Sequence, residues 1–352
     1  MSGQPAPTRR SAGSLRERRV PLPWPKDREF RILAIDGGGI RGIFPATILA
    51  GLEERYLGGA SVAGYFDLIA GTSTGGIIAL GLAAGLTSGE LKDLYVERGG
   101  EIFPPLPQGP SGWLARRWQG FRRYFRYRYD REALECILGA KLGDRRLGDA
   151  MCRLCIPAFE GRHSEVYIFK TPHHSDFKTD WREPMVKVAL ATAAAPTIYR
   201  PLEDAGYVFV DGGVWANNPA MIALVDALSC FDVARDQVRI LSLGCGDDPW
   251  IINAKQRKLG GLLHWREIMF AAMRLQSLNA VGQAGLLIGA ERLLRIDAPT
   301  GEQKIEMDDW LRARDELPPA AEQALLRTGE EIADKFLYAP AAKYVPCYGS
   351  NP

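Results

Sequence analysis

One serine of this 352-residue chain, with a glycine two positions before it and another two positions after it, has the best setting for covalent chemistry. The segment GTSTG, residues 71–75, fits the pattern G-x-S-x-G between a run that predicts a strand and one that predicts a helix. In that setting Gly71 and Gly75 let the chain turn sharply, and the hydroxyl of Ser73 projects as a nucleophile. The following helix would place its positive N-terminus near a developing oxyanion. The motif therefore predicts acyl transfer through Ser73.

A second glycine-rich segment, DGGGIRG at residues 36–42, follows another predicted strand and has two interpretations. Its backbone amides could form an oxyanion hole, because glycine lets the chain approach a substrate closely. Alternatively, Gly37 to Gly42 fits the dinucleotide fingerprint G-x-G-x-x-G, which expects an acidic residue about 20 positions later at a strand end. Glu53 and Glu54 have that spacing but lie in a predicted helix. A P-loop is excluded, because the segment lacks the Gly-Lys-Ser/Thr ending.

The nucleophile needs a base, and histidine is scarce. The four histidines are His163, His173, His174 and His264. No histidine follows a clear strand, and His264 lies in a predicted helix. Asp211 ends a predicted strand and precedes two glycines, so a Ser73–Asp211 dyad is favoured over a triad. We expect the other three histidines to lie in a solvated loop rather than to bind a metal ion.

Short apolar runs alternate with helical patterns along the chain. The predicted strands cover residues 31–35, 65–70, 152–159, 166–169, 207–210, 238–243 and 293–296, and the predicted helices 44–56, 76–84, 185–195 and 220–228. The segment 99–112 is rich in proline and glycine and predicts a loop. This alternation predicts an α/β fold with a mostly parallel sheet. Since ligands bind at the carboxyl ends of parallel strands, we expect the motifs around Ser73, Asp211 and residues 36–42 to meet at one edge.

Composition limits the class of protein. The net charge of +2 gives no argument for binding a nucleic acid polymer. Six scattered cysteines form no disulfide framework, and Cys152 and Cys155 are predicted to be two buried side chains of a strand. The N-terminal residues resemble no signal peptide, and the longest apolar run, 76–86, is shorter than the about 20 residues that span a bilayer. We expect a cytoplasmic protein, attached at most to the inner face of the membrane.

Three regions are predicted along the chain. Residues 1–28 are rich in proline, arginine, serine and glycine and predict a flexible basic leader. Residues 29–245 carry the three motifs and form the predicted catalytic domain, with a basic-aromatic helical insert at about 99–131. The remainder, 246–352, is mainly helical and is expected to pack on the same domain.

The insert has an amphipathic pattern between residues 113 and 131. Its aromatic side chains include Trp113 and Trp118, and its basic ones include Arg122, Arg123 and Arg126. Such a helix could lie in a membrane interface, where arginine binds phosphate and aromatic rings anchor at headgroup level. It could equally dock an anionic activator or a partner subunit, or be a partly buried helix with solvated arginines.

Taken together, the motifs resemble those of the patatin-like phospholipase family. Residues 36–42 resemble its oxyanion segment, 71–76 its nucleophile elbow, and 211–219 its catalytic aspartate block. Residues 194–197 resemble a segment that the family carries before that block. The resemblance covers about residues 30–245 and implies an α/β fold of three layers, in which helices flank a mostly parallel central sheet.

The resemblance implies a role for each motif and a reaction without metal or other cofactor. Ser73 would be the nucleophile and Asp211 the base, the amides of Gly37, Gly38 and Gly39 would surround the oxyanion, and Arg41 and Gly42 would support that loop. Family members cleave acyl esters of glycerophospholipids, and some bacterial members are effectors of cyclic-oligonucleotide antiphage signalling that degrade the host membrane. The resemblance implies a membrane phospholipid and a cyclic-nucleotide activator as partners, and a second copy of the chain is a further candidate partner. A nucleotide-binding protein that uses residues 37–42, or an acylesterase or acyltransferase acting on other substrates, is the alternative.

Overall fold

An eight-stranded sheet forms the centre of the described part of the chain. The computed structural model describes residues 18–105, 127–246, 251–252, 254–259, 268–299 and 305–349. The strands are β1 Phe30–Ile35, β2 Leu68–Gly71, β3 Arg153–Glu160, β4 Glu165–Lys170, β5 Leu202–Asp204, β6 Tyr207–Asp211, β7 Val238–Leu243 and β8 Leu293–Ile296. The helices are α1 Ile43–Tyr56, α2 Thr74–Ala83, α3 Ser88–Ile102, α4 Glu132–Leu142, α5 Met185–Thr192, α6 Gly213–Ala216, α7 Ala220–Cys230, α8 Ala254–Leu259, α9 Ile268–Ile288 and α10 Trp310–Phe336. Along the sheet the strands are ordered β5-β6-β3-β2-β1-β7-β8, and β4 pairs with β3.

Alternation along β1 explains the layers. Leu33 and Ile35 point into a core that includes buried residues of α1, α2 and α10. Phe30, Ile32 and Ala34 point to the other face, where α7 and the end of α9 complete a second core. The predicted three-layer α/β fold, with a central sheet flanked by helices, is thereby confirmed.

The strands that carry the motifs do not all run in the same direction. Strands β3, β2, β1, β7 and β8 are parallel, whereas β4, β5 and β6 pair in antiparallel fashion. Cys155 pairs with β2 on one side and β4 on the other, and Ala158 pairs with β6 and β4. Therefore β2 and β6 share one edge of β3 and run towards each other. The expectation that Asp211 lies at the end of a parallel strand was wrong, because β6 approaches from the opposite direction.

The segments outside residues 29–245 contact the sheet directly. Strand β8 pairs in parallel with β7, and α10 packs along α1. Part of the predicted leader also packs: Leu22 exchanges backbone hydrogen bonds with Cys230 and Asp232, and the buried Trp24 ring lies 4.6 Å from that of Phe30. The packed chain therefore includes residues of the leader that were expected to be flexible.

Two predicted boundaries differ from the structure for identifiable reasons. Helix α3 continues to Ile102, so the predicted loop at 99–112 begins too early. The glycines at 99 and 100 allow Trp310 to pack closely on the helix, since a Cβ on Gly99 would lie 2.6 Å from Trp310 Cδ1. Helix α5 ends at Thr192, because the carbonyls of Thr192 and Ala194 accept hydrogen bonds from the Asp211 segment. No helix within the described ranges is long and apolar enough to cross a bilayer.

Candidate active site

Ser73 occupies a strained turn between β2 and α2. Its φ of 55° and ψ of −119° are unusual for a residue with a side chain, and such a conformation costs about 1–3 kcal/mol. Gly75 allows the turn, because a Cβ there would lie 2.2 Å from the carbonyl oxygen of Ile35; one on Gly71 would meet Gly75 O at 2.1 Å. The predicted elbow therefore directs the serine side chain out of the turn at the N-terminus of α2.

Thr192, at the end of α5, holds this turn in place. Its Oγ1 accepts a hydrogen bond from Ser73 N at 3.0 Å and donates one to Pro157 O at 2.6 Å. Its carbonyl also accepts the amide of Gly212 at 3.3 Å. One fully buried residue thus fixes both the serine turn and the segment after Asp211. No motif marked this residue in the sequence, since its role depends on tertiary contacts alone.

Asp211 reaches Ser73 through the meeting of β2 and β6 on the edge of β3. Ala70 pairs with Cys155 and Asp211 pairs with Ala158, so two residues of β3 separate the converging ends. Ser73 Oγ donates a hydrogen bond to Asp211 Oδ2 at 2.7 Å. The other carboxylate oxygen, Oδ1, accepts the amide of Gly213 at 2.6 Å, which fixes the orientation of the carboxylate.

Burial makes this carboxylate a stronger base than an ordinary aspartate. Burial raises the pKa of Asp211 to about 6, while its hydrogen bonds from Ser73 and Gly213 act in the opposite direction. A base with a pKa closer to neutral accepts the proton of a hydroxyl more readily and is still ionised at pH 7 to 8.

The glycine-rich loop lies beside the serine. Gly39 has a φ of 59°, and the amides of Gly38 and Gly39 have no acceptor among the described residues. Gly37 differs from the expectation: its amide donates to Asn217 O at 3.1 Å and is therefore not free to bind an oxyanion. Arg41 Nε donates to Gly38 O at 3.3 Å, and Gly42 packs against Thr74.

A largely apolar pocket opens above the two side chains. Its lining residues are Gly38, Ser73, Ala195, Pro196, Ile198, Asp211, Val214, Asn217, Met273 and Met307. Met273 belongs to α9, and Met307 precedes α10, so the C-terminal part completes the walls. Sequence patterns did not reveal either methionine, because nothing local distinguishes a methionine that lines a pocket. Apolar walls around a buried nucleophile suit an acyl chain.

The described histidines are engaged elsewhere. His163 Nδ1 lies 2.7 Å from Glu160, and His174 Nε2 lies 3.0 Å from Val20 O. His173 Nε2 lies 2.7 Å from Asp226, and burial lowers the pKa of this histidine. His173 and His174 are buried, so the expected solvated loop was wrong for both of them.

One group with metal-ligand side chains lies near β3. Atoms of Cys155, His173 and Asp226 lie within 4.8 Å of one another, and all three residues are buried. Lys170 binds the carboxylate of Asp226. Burial alone would raise the pKa of Asp226, but Lys170 and His173 have the larger effect and lower it. Asp226 therefore forms a buried ion pair with Lys170. Cys152 and Cys155 are buried and form no disulfide, and Cys155 lies in β3 as predicted, whereas Cys152 precedes that strand.

The dinucleotide interpretation of residues 37–42 requires an acidic residue that can bind a ribose, and the candidate Glu53 is engaged elsewhere. Glu53 is buried in α1, and its carboxylate accepts hydrogen bonds from Val62 N at 2.9 Å and Ser88 N at 2.8 Å. It therefore has a structural role. The insert residues Trp113, Trp118, Arg122, Arg123 and Arg126 lie outside the described residues.

Thr192→Val provides a test of how the turn is held. Valine keeps the volume but accepts no hydrogen bond, and leaving the buried Ser73 amide unsatisfied costs about 1–3 kcal/mol. We expect a lower melting temperature and a kcat reduced between about 10- and 100-fold by misplacement of the serine. Thr47→Val is the matched control, because Thr47 is also buried and, among the described residues, its hydroxyl bonds only within α1, to Ile43 O at 2.7 Å. Unchanged kcat in Thr192→Val would contradict the assignment.

Parts of the chain are similar in sequence to known proteins. The model of the family described as Patatin-like phospholipase matches residues 33–224. A cGAMP-activated phospholipase of Pseudomonas aeruginosa (strain BWHPSA011 / Pa011) is 40% identical over 218 residues, covering 61% of this chain and 62% of that protein. One of Vibrio cholerae is 37% identical over 235 residues (61% and 64%), and Patatin-like protein 2 of Arabidopsis thaliana is 35% identical over 270 residues (66% and 64%). The matches thus span less than two thirds of these relatives. The family model covers more than half of the chain, and the chain belongs to the patatin-like phospholipase family.

Proposed function

We propose that the protein is a lipid acyl hydrolase of the phospholipase A type that uses a Ser73–Asp211 dyad. The observation that carries the proposal is the 2.7 Å hydrogen bond from Ser73 Oγ to Asp211 Oδ2 at the base of an apolar pocket. Family membership supports the ester chemistry, and the strained elbow supports the choice of nucleophile. The described histidines have other partners, which supports a dyad rather than a triad.

The proposed reaction proceeds in two stages. Ser73 Oγ attacks the ester carbonyl while Asp211 takes its proton, and the negative charge on the carbonyl oxygen is bound by the amides of Gly38 and Gly39. The tetrahedral intermediate collapses, and Asp211 returns the proton to the leaving alcohol oxygen. A water molecule then attacks the acyl-enzyme, with Asp211 again as base, and the fatty acid leaves.

The pocket walls supply a prediction about acyl chains. Met273→Trp should fill part of the pocket and exclude long chains, whereas short ones still fit. With about 0.8 kcal/mol for each buried methylene, loss of a few methylene contacts should lower kcat/KM for a long-chain ester more than about tenfold. A series of esters with four to sixteen acyl carbons measures the effect. Met151→Trp, at an exposed position outside the pocket, is the control. An equal loss for short and long esters would count against the pocket.

A cyclic nucleotide is the proposed activator. Two bacterial relatives are named cGAMP-activated phospholipases, and an unregulated phospholipase would harm its own cell. We further propose that the activated enzyme contacts the inner face of the membrane through the segment around residues 113–131. Hydrolysis of the membrane phospholipids would then serve antiphage defence. The oligomeric state stays a prediction.

Hydrolysis of mixed-phospholipid liposomes tests the proposed function. Wild type and Ser73→Ala are compared with and without a panel of cyclic nucleotides, and released fatty acid is measured. We expect release by wild type alone, increased by one member of the panel. A flat response across the panel would remove the activator, and release from triglyceride or simple esters but not phospholipid would favour the alternative acylesterase. Nucleotide binding at Gly37 without hydrolysis would favour the other alternative.

A further inference from the structure

The glycine-rich loop is anchored by residues that lie after position 245. Ile40 N donates to Met307 O at 2.9 Å, and Arg41 Nη1 donates to Gly246 O. Arg295 Nη2 donates to Asp36 Oδ2 at 2.8 Å. These contacts come from outside the region matched by the family model, which ends at residue 224. The C-terminal part therefore helps to fix the position of the loop, together with the bond from Gly37 N to Asn217 O.

Arg295 occupies the centre of this arrangement. It lies on β8, beside β7, where its Nη1 donates to Ser242 Oγ at 2.9 Å. Its Nη2 binds both Asp36 and Asp297, at 2.8 and 2.6 Å. Burial alone would lower the pKa of Arg295, but Asp36 and Asp297 raise it, so the guanidinium stays charged. Asp36, at the start of the loop, is thus bound to a charged group that is itself fixed on two sides.

Asp297 continues the hydrogen bonds towards the oxyanion amides. Its Oδ1 accepts the amide of Gly246 at 2.6 Å, and Gly246 O binds Arg41. Arg41 Nε in turn donates to Gly38 O at 3.3 Å. Because the carbonyl of Gly38 and the amide of Gly39 belong to one planar peptide unit, holding that oxygen fixes the direction of the Gly39 N–H.

We propose that Arg295 and Asp297 are positioning residues for the acyl-transfer reaction, which fix the glycine-rich loop so that the amide of Gly39 points towards the oxyanion. Neither side chain lines the pocket. Oxyanion amides work because they are oriented before the charge develops, so a loop that is free to move loses rate rather than substrate affinity. This inference rests on the proposed function, since it assumes an oxyanion at this loop.

Kinetics of Arg295→Gln and Asp297→Asn with a monomeric short-chain ester test the inference. We expect kcat to fall between about 10- and 100-fold, less than the about 10²–10³-fold lost with an oxyanion donor itself. KM should change less than about twofold, because the lost contact forms only in the transition state. Arg295→Lys, which keeps the charge, should recover part of the rate. The double variant should lose much less than the product of the two single losses, since both residues act on one loop.

Arg239→Gln is the matched control for a purely structural effect. Arg239 lies on the neighbouring strand β7, and its Nε binds Glu29 Oε2 at 2.6 Å, with 23% of the side chain exposed against 21% for Arg295. It should leave kcat unchanged and lower the melting temperature less than Arg295→Gln does, because Glu29 keeps its ion pair with Arg292.

Two results would overturn the inference. The first is that Arg295→Gln and Asp297→Asn fold and keep the kcat of the wild type while Ser73→Ala is inactive. In that case the proposed function would stand and the positioning role would not. The other is an equal loss of kcat in Arg239→Gln. If Ser73→Ala hydrolyses the ester as well as wild type, the proposed function itself fails and the inference fails with it.

Discussion

Ser73→Ala should lose at least about 10⁴-fold in kcat for ester hydrolysis, with its fold and melting temperature little changed. The loss is large because the covalent path is removed entirely, and only the binding pocket and the loop amides remain to assist water. Alanine keeps the Cβ of the strained turn, and the hydrogen bond from the residue 73 amide to Thr192 Oγ1 survives. The measurement is initial-rate kinetics, in the presence of whichever nucleotide activates the wild type.

A second buried serine provides the control. Ser88 is fully buried and donates to Glu53 at 2.8 Å, on the helix α3 side of the molecule. Ser88→Ala should therefore cost stability while kcat stays close to that of the wild type. Substantial turnover by Ser73→Ala would show that another group is the nucleophile.

Asp211→Asn should lose between about 10² and 10⁴-fold in kcat, the range of general-base catalysis. Asparagine can keep both local hydrogen bonds, with its oxygen facing the Gly213 amide and its nitrogen facing Ser73 Oγ. The turn should therefore stay in place while the proton acceptor is lost. Kinetics of this variant separate the base function of Asp211 from its role in the local structure.

The pH profile of the wild type follows from the same carboxylate. Burial raises the pKa of Asp211 to about 6, and the active form is the ionised one. The value of kcat/KM should therefore fall as the pH decreases through about 6. In Asp211→Asn the remaining activity should lack this acid limb. An acid limb with its midpoint near pH 4, the ordinary aspartate value, would contradict the effect of burial.

Stability should change in the opposite direction to activity. Because the folded pKa of Asp211 lies above its ordinary value of 3.8, the folded state binds the proton more tightly than the unfolded chain does. The stabilisation by that proton is complete below about pH 4 and lost as the pH rises through about 6, a difference of about 3 kcal/mol. Asparagine carries no charge to bury, so Asp211→Asn should unfold at higher denaturant concentration than wild type at pH 8. Equal stability of the two proteins at that pH would contradict the prediction.

Local patterns were sufficient for the elements and for the serine turn. The apolar run before Asp36 predicts a buried strand, and β1 has that position with both faces covered. The strand-turn-helix order around Ser73 likewise depends on neighbouring residues, and α2 begins directly after it. Short-range periodicity carries this information because backbone hydrogen bonds and side-chain alternation act over a few residues.

Tertiary contacts determined what the patterns could not reveal. The sequence predicted correctly that Asp211 lies beside Ser73, but it placed Asp211 at the end of a parallel strand. The direction of β6 depends on its antiparallel pairing with β3, which no local pattern reveals. The Gly37 amide is occupied by Asn217 O, a contact across 180 residues of chain. Thr192 and Met273 act only through partners that are distant in sequence, so neither carries a local signature.

Covalent labelling with a fluorophosphonate is the most direct test of the central claim, that Ser73 is a nucleophile activated by Asp211. The phosphorus atom mimics the ester carbonyl and captures an activated serine. Peptide mass spectrometry of the labelled, active protein should find one adduct, on Ser73, which is absent from Ser73→Ala and forms far more slowly in Asp211→Asn. An unlabelled Ser73 in a protein that hydrolyses lipid, or an adduct on another serine, would contradict the claim.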